Sequence, residues 1–302
     1  MDLRFLTTAL VAFFFQTTHA QSPTDGLMMP KGNICLLAQY SNAQWNEYWE
    51  GTNKRSNPNI GTFTNQNAML MANYGITDNL NAMIGLPYIW TGSDSYLQGE
   101  SGLQDFSAWL KYQPLSVTSA FGTFKVQVTG GVSVPMYNYV PDFLPFSIGL
   151  QSKTASLRAA LNYTTKHGLY ATVQAGHTWR STITLDRDGY LYKDKWYETN
   201  EVPVPNMVDA TARLGYISTK VQAEFWLDHF AGTDGDDIRY NDAPFPANKM
   251  QATTAGVFAK YFVWKSLALH ASFGQVLSGR NVGQSTVFTG GITCFFQVFK
   301  NQ

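Results

Sequence analysis

The sequence predicts an all-β protein, a transmembrane antiparallel β-barrel of about twelve strands with short periplasmic turns and long extracellular loops. Three observations predict it: apolar and polar side chains alternate along many segments, the connections between these segments alternate in length, and charged residues are few while aromatic residues are many. Charged residues make up 14% of the 302 residues, against roughly 25% in ordinary soluble domains. Aromatic residues reach 15%, which suits a wall with one apolar and one polar face.

The alternation has a period of two residues. The odd-numbered residues from Val221 to Leu227 are apolar, whereas Gln222, Glu224 and Asp228 are polar. Successive side chains of a strand point to opposite faces, so such a segment has one apolar and one polar face. Many of the predicted strands are long enough to cross a bilayer when tilted, which takes about 9–11 residues. The predicted strands are 33–47, 61–74, 80–91, 103–113, 122–134, 153–165, 168–181, 207–217, 220–231, 251–263, 266–278 and 285–299.

The connections between the predicted strands are sorted by length. The short ones are 75–79, 114–121, 166–167, 218–219 and 264–265. Those interleaved with them are mostly longer, at 48–60, 92–102, 135–152, 182–206 and 232–250, and only the last, 279–284, is short. Short turns on one side and long loops on the other are typical of outer-membrane barrels, whose turns lie in the periplasm. A soluble periplasmic β-sandwich is the alternative fold.

The N-terminus has the features of a secretory signal peptide. Arg4 precedes a short apolar run, and Ala20 ends a cleavage-like site. The apolar run is too short to span a bilayer, which takes about 20 residues. The chain is therefore divided into a signal peptide at 1–20, an N-terminal lead-in or plug at 21–32, and an outer-membrane β-barrel at 33–302.

Five tyrosines lie at or near the turn ends of the even-numbered predicted strands, each on the apolar face of its strand. A tyrosine has an apolar ring and a polar tip, so it suits the boundary between membrane and water. They predict a periplasmic aromatic girdle. The five are Tyr74, Tyr112, Tyr163, Tyr216 and Tyr261.

Charged residues of both signs occupy the polar faces. A lysine or arginine facing lipid at mid-bilayer costs about 2–4 kcal/mol, so these side chains are expected to face inward. Either they form a salt-bridge network that fills a narrow lumen, or they line a path that selects solutes. The predicted lumen-lining residues are Asp105, Lys111, Lys125, Arg158, Arg180, Asp209, Arg213, Glu224, Asp228 and Lys260.

Two stretches resemble a known family. They are NYGITDNL at 73–80 with GLPY at 85–88, and GLQDF at 102–106 with LKY at 110–112. These runs resemble the signature of the MetA-pathway of phenol degradation family, and the resemblance covers roughly 60–135. It implies an outer-membrane transporter related in architecture to the FadL channels, through which small hydrophobic or aromatic compounds cross passively.

The expected location is the outer membrane of a Gram-negative cell. The expected partners are outer-membrane lipid, small hydrophobic solutes and, during biogenesis, the barrel-assembly machinery. Barrels usually end in an aromatic residue that this machinery recognises, and here Phe299 is followed by three further residues. Two other functions stay open: a closed structural or surface-interaction barrel, and a lipid-modifying outer-membrane enzyme.

Pro87 falls inside the third predicted strand. Proline has no N–H and removes a hydrogen bond from the ladder. In FadL-type channels a strand distortion opens a lateral gap into the bilayer, and Pro87 is the candidate for a similar kink. The alternative is a bulge near the rim.

Other chemistry is not expected from the sequence. The 21 Lys+Arg balance the 21 Asp+Glu, which gives no reason to expect a nucleic-acid partner. Because no CxxC, HExxH, GxGxxG or P-loop motif occurs, no cofactor or metal is expected. The acidic loops 182–206 and 233–242 lack a full calcium-loop spacing. His270 and Ser272 share the inward face of one strand, and an enzyme is not expected.

The two cysteines, Cys35 and Cys294, lie on the first and last predicted strands, which must pair to close a barrel. A disulfide is chemically allowed in the periplasm. However, Cys35 has inward parity and Cys294 outward parity, and residues on opposite faces cannot be bridged without distortion. Two free thiols are expected.

Overall fold

The computed structural model describes residues 22–240 and 242–297. The signal peptide predicted for 1–20 and the end of the last predicted strand, including Phe299, lie outside the described residues. Within the described part of the chain, no helix is long and apolar enough to cross a membrane.

Twelve long antiparallel strands of the described residues form a single closed sheet. Each strand pairs with its neighbours in chain order, and the first pairs with the last from Asn33 to Gln44, which closes the sheet. Closure leaves no long edge unpaired. The predicted twelve-stranded antiparallel barrel is therefore confirmed. The strands are β1 (Asn33–Trp45), β2 (Phe63–Thr77), β3 (Leu80–Ser93), β4 (Asp105–Thr118), β5 (Gly122–Pro135), β6 (Thr154–Thr165), β7 (Leu169–Arg180), β8 (Met207–Ile217), β9 (Val221–Gly232), β10 (Gln251–Trp264), β11 (Leu267–Arg280) and β12 (Thr286–Gln297).

The fourth strand is longer than predicted. The sequence predicts a turn beginning at Pro114, whereas β4 continues to Thr118. The pairing of β4 with β5 shifts register between Tyr112 and Leu115, so Pro114 lies in a β-bulge. A bulge accommodates a residue that cannot donate to the ladder. The hairpin turn shrinks to 119–121.

Burial on the wall is the reverse of that in a soluble protein. Outward-facing Leu70 and Leu214 are 64% and 63% exposed, whereas Asn73 and Gln127 on the inner face are each 1% exposed. A soluble sandwich would bury such leucines, because apolar surface is driven from water. A barrel in a bilayer instead presents them to lipid and hydrogen-bonds its polar groups inside.

The long loops fold on one another at the extracellular end. Between β7 and β8, two small sheets pair Ile183–Thr184 with Glu201–Val202 and Tyr190–Tyr192 with Lys195–Tyr197. They surround a buried apolar cluster that includes Ala247 from the loop between β9 and β10. Since loops from different hairpins share an apolar core, they pack together as one unit.

The two cysteines are neighbours across the β1–β12 seam but face opposite sides. Cys35 pairs with Phe295, and Cys294 pairs with Leu36, so the two positions are offset by one residue. A shift of one residue turns a side chain to the other face. Neither cysteine forms a disulfide within the described residues.

We expect both thiols to react with a maleimide once the chain is unfolded. In the folded barrel Cys35, which is 2% exposed, should be protected. The Cys294→Ser variant isolates Cys35, and mass spectrometry counts the adducts. A folded chain that gains an adduct only after reduction would contradict the expectation, because it would reveal a disulfide.

Candidate functional site

The lumen contains the charged residues predicted to line it. All ten are buried or half-buried, and most are paired. Arg158 on β6 and Asp209 on β8 form two hydrogen bonds, Nε to Oδ2 at 3.1 Å and Nη2 to Oδ1 at 2.5 Å. Gly176 on the intervening β7 is the register partner of both. A side chain there would collide with the pair, so the glycine lets it bridge a whole strand.

A second network connects four adjacent strands. The Arg213 guanidinium on β8 lies 2.6 Å from Glu224 Oε1 on β9. Tyr170 on β7 donates its hydroxyl hydrogen to the same carboxylate. Gln222 donates to the Tyr170 oxygen at 3.1 Å, and its own Oε1 accepts from Lys260 Nζ at 3.0 Å. Most of these buried groups are hydrogen-bonded to one another, as buried charges require, although Arg213 Nε has no hydrogen-bond partner among the described residues.

The remaining predicted lumen residues lie elsewhere along the wall. Asp105, near the extracellular end, accepts a 3.0 Å hydrogen bond from the hydroxyl of Tyr139. Arg180 donates to the main-chain oxygen of Pro205 at 3.2 Å. Lys125 is half-buried on β5, and one carboxylate oxygen of Asp228 is buried without a partner among the described residues.

The N-terminal segment, residues 22–32, lies inside the periplasmic half of the barrel. Lys111 Nζ on β4 contacts Asp25 Oδ1 at 2.9 Å and donates to the main-chain oxygens of Asp25 and Ser22 at 2.5 and 3.3 Å. On β5, Gln127 donates to the main-chain oxygen of Gly26 at 3.1 Å. The Lys111 side chain is only 1% exposed, so the segment supplies the acceptors that a buried ammonium needs.

The same segment also contacts the other side of the barrel. Met29 is fully buried in an apolar cluster with Phe262 on β10 and Phe295 on β12. A Cβ at Gly26 would collide with Asn162 on β6. Contacts on β4 to β6 and on β10 and β12 place the segment across the lumen. Sequence reasoning left open whether it enters the barrel, because nothing local in a Pro- and Gly-containing stretch specifies these contacts.

Two tryptophan rings lie against the inner wall. Trp109 on β4 packs across Gly85 and Gly131 of its two neighbouring strands. Trp226 on β9 packs across Gly256 and Gly274. A side chain at Gly131 or Gly256 would collide with the ring, so the glycines let each ring lie along the wall instead of across the lumen.

Apolar and charged side chains are unevenly distributed around the lumen. Trp109 continues an apolar arc on β1 to β4 that includes Leu37, Met71 and Met83, with Leu37 and Met71 paired in register. The ion pairs between wall strands, Arg158–Asp209 and Arg213–Glu224, lie on β6 to β9, while Lys111 on β4 pairs with Asp25 of the N-terminal segment. Sequence reasoning missed the tryptophans and the uncharged partners Tyr170 and Gln222, because it selected inward residues by charge. A sequence signal for the two tryptophans does exist: each lies at an inward-facing position of its strand, with glycines at inward-facing positions of the adjoining strands.

Pro87 interrupts the pairing on one side of β3. Towards β2 the ladder runs unbroken through Met69 and Pro87. Towards β4 it stops at Gly85 opposite Ser107 and resumes at Tyr88 on the short strand Ser101–Leu103. The Gln104 N–H donates to the Pro87 oxygen at 3.0 Å. This geometry is a bridged irregularity in the wall.

The five tyrosines predicted to form the girdle lie near the turn ends of their strands. Tyr112, Tyr163, Tyr216 and Tyr261 are exposed on the outer face, and Tyr74 is half-buried. Their role at the membrane boundary stays a prediction.

Some acidic residues of loops 182–206 and 233–242 are paired with cations. Asp234 contacts Lys193, and Asp237 contacts Arg280. The hydrogen bonds from Arg280 hold the pKa of the Asp237 carboxyl below its usual value. Among residues 22–240 and 242–297, no group of three or more His, Cys, Asp or Glu residues could hold a metal ion.

His270 and Ser272 do not form a nucleophile–base pair in this geometry. The Ser272 hydroxyl donates to the main-chain oxygen of Val257 at 3.0 Å. Both ring nitrogens of His270 are buried without a hydrogen-bond partner in the described part of the chain. General-base activation requires the two side chains to be within hydrogen-bond reach.

Comparison with solved structures shows which known fold the chain resembles. No protein-family model and no curated protein matches the sequence. Among solved structures, the chain is similar to an outer membrane channel from Pseudomonas putida F1, with a TM-score of 0.74, 17% identity, and coverage of 92% of this chain and 100% of that chain. The NanC porin matches at a TM-score of 0.49 and 8% identity over 85% of this chain and 99% of its own. The chain has the fold of an outer-membrane β-barrel.

Proposed function

We propose that the chain is an outer-membrane channel for passive uptake of small hydrophobic or aromatic compounds. The combination of aromatic rings and paired charges on the lumen wall carries the proposal. Trp109 and Trp226 offer half-buried ring faces along the wall, and aromatic rings favour stacked or edge-to-face partners. The paired charges on β6 to β9 offer hydrogen bonds to a polar substituent. The fold likeness to a solved outer membrane channel and the resemblance to the phenol-degradation family agree with this function.

The proposal includes the location. We infer that residues 1–20 act as a cleaved signal peptide and that the barrel-assembly machinery inserts the chain into the outer membrane. Apolar outward residues such as Leu70 and Leu214 support a lipid-facing wall. Pro87 is the proposed place for lateral exit of apolar solutes, since the β3–β4 pairing is interrupted there.

Flux through the mature chain, residues 21–302, in liposomes tests the channel. We expect phenol-sized aromatic solutes to enter faster than charged solutes of similar size. The Trp109→Ala/Trp226→Ala variant should lose this preference, because it removes both ring faces. The matched control is Trp179→Ala, whose ring is exposed on the outer face. Equal flux of aromatic and charged solutes would contradict the substrate class.

A closed structural barrel is the second candidate, and a specific observation favours it. The N-terminal segment and the ion pairs around it occupy the periplasmic half of the lumen. In a closed barrel these contacts serve stability alone, and neither aromatic nor charged solutes would cross.

A further inference from the structure

A long groove runs across the outer wall from β6 to β12, here called the outer groove. Its volume is about 1060 Å³, and its lining is almost entirely apolar. Ala223, Ala259 and Ala271 lie side by side in register in the lining. Small side chains in a row leave a depression between larger neighbours such as Leu214 and Phe273.

Positive charge gathers at the periplasmic end of this groove. Thr165, a lining residue at the end of β6, directly precedes Lys166. Tyr216 and Ala223 flank the next turn, which contains Lys220. Both lysines are exposed, and no ion pair within the described residues involves either.

The turns on the other side of the barrel have a different charge. The β2–β3 turn contains Asp78, whose carboxylate accepts a hydrogen bond from the Lys31 main chain. The β4–β5 turn, 119–121, contains no charged residue. Neighbouring strands lie about 4.8 Å apart, and three such spacings separate β6, which Lys166 follows, from β9, which Lys220 precedes, so the two residues begin roughly 14 Å from each other. Two lysine side chains can reach one anion from that separation.

We propose that the outer groove binds an anionic phospholipid of the periplasmic leaflet. Its acyl chains lie in the apolar groove, and its phosphate lies between Lys166 and Lys220. Basic residues at a membrane surface attract anionic headgroups. A second copy of the chain fits less well, because a two-fold interface brings the same patch onto itself and would oppose lysine to lysine. The inference rests on the membrane placement in the proposed function and is independent of transport.

Native mass spectrometry of the purified chain in detergent tests the headgroup contact. Phosphatidylglycerol and phosphatidylcholine with identical acyl chains are titrated in parallel. We expect preferential binding of phosphatidylglycerol, and a loss of about 30-fold in its affinity for the Lys166→Gln/Lys220→Gln variant. Phosphatidylcholine binding should not change. The matched control is Lys31→Gln, an exposed lysine beside the β2–β3 turn.

A second pair of variants tests the groove. Ala223→Phe/Ala259→Phe fills it and should weaken both lipids, whereas Ala72→Phe/Ala108→Phe makes the same change at outward positions away from the lining. Equal affinity of the two lipids for the unmodified chain would overturn the proposal. Normal lipid binding by Ala223→Phe/Ala259→Phe would also overturn it. So would a change of this variant from dimer to monomer without a change in lipid binding, because the groove would then be an interface between two copies of the chain. Because flux is not the readout, failure here leaves the channel function standing, and absent flux leaves the lipid site standing.

Discussion

Deletion of residues 22–30 is expected to raise solute flux through the barrel by at least an order of magnitude. The segment crosses the periplasmic half of the lumen between Lys111 and Gln127 on one side and the Met29 cluster on the other. Removing it opens that space, and water can then solvate the Lys111 ammonium that the segment covers. Liposome uptake of phenol-sized solutes measures the change. The wall strands stay intact, because Lys31 and Gly32 keep their main-chain bonds to Asp78 and Gly75.

A rescue experiment distinguishes loss of a plug from damage to the barrel. A synthetic peptide of residues 21–31, added from the periplasmic side, should lower the raised flux again. A peptide of the same composition in scrambled order should have no effect, because Gly26 must meet Asn162 and Asp25 must meet Lys111. Unchanged flux after the deletion would show that the segment does not limit passage.

The second large effect is expected on stability. The Arg213→Met variant leaves the Glu224 carboxylate, whose side chain is 5% exposed, without its cation. Breaking a buried pair by removing one partner typically costs about 3–5 kcal/mol. We expect a loss of this size in the free energy of unfolding. Urea unfolding of the reconstituted barrel, followed by the mobility of unheated samples in gels, measures it.

Two further variants make this result interpretable. Replacing both partners, as in Arg213→Met/Glu224→Leu, should recover part of the loss because no uncompensated charge remains. Arg239→Met removes a cation from Asp194, whose side chain is 97% exposed, and should cost about 0–1 kcal/mol. Equal losses for Arg213→Met and Arg239→Met would contradict the assignment of a buried network.

The wall of this barrel could be predicted from the sequence because its rule is local. Alternate residues of a strand face the same environment, either lipid or lumen, and the strand ends where the alternation stops. The predicted bounds of β8, 207–217, are therefore the observed ones, Met207–Ile217. This local rule fails where a residue that favours a turn lies within a paired strand. Pro114 is normally a sign of a turn, but the β4–β5 pairing continues around it through a bulge.

The interior could not be predicted in the same way. Asp25 and Lys111 are far apart in the chain, and only the closed barrel brings them to 2.9 Å. Arg158 meets Asp209 across Gly176 because the register aligns all three, and the register is fixed by turns elsewhere. Parity therefore shows which side chains face inward, while their partners depend on the curvature and closure of the whole sheet.

The seam between β1 and β12 has a consequence for assembly. It joins the two ends of the chain, from Asn33 opposite Gln297 to Gln44 opposite Thr286, and pairings of such large sequence separation form late because of their loop-closure entropy. The segment before β1 contacts both β4 and β12. It must therefore be drawn inside while the hairpins are still an open sheet, or be threaded upward through the finished ring. Crosslinking the N-terminal segment to β4 during membrane insertion would show whether the segment enters the lumen before or after β1 pairs with β12.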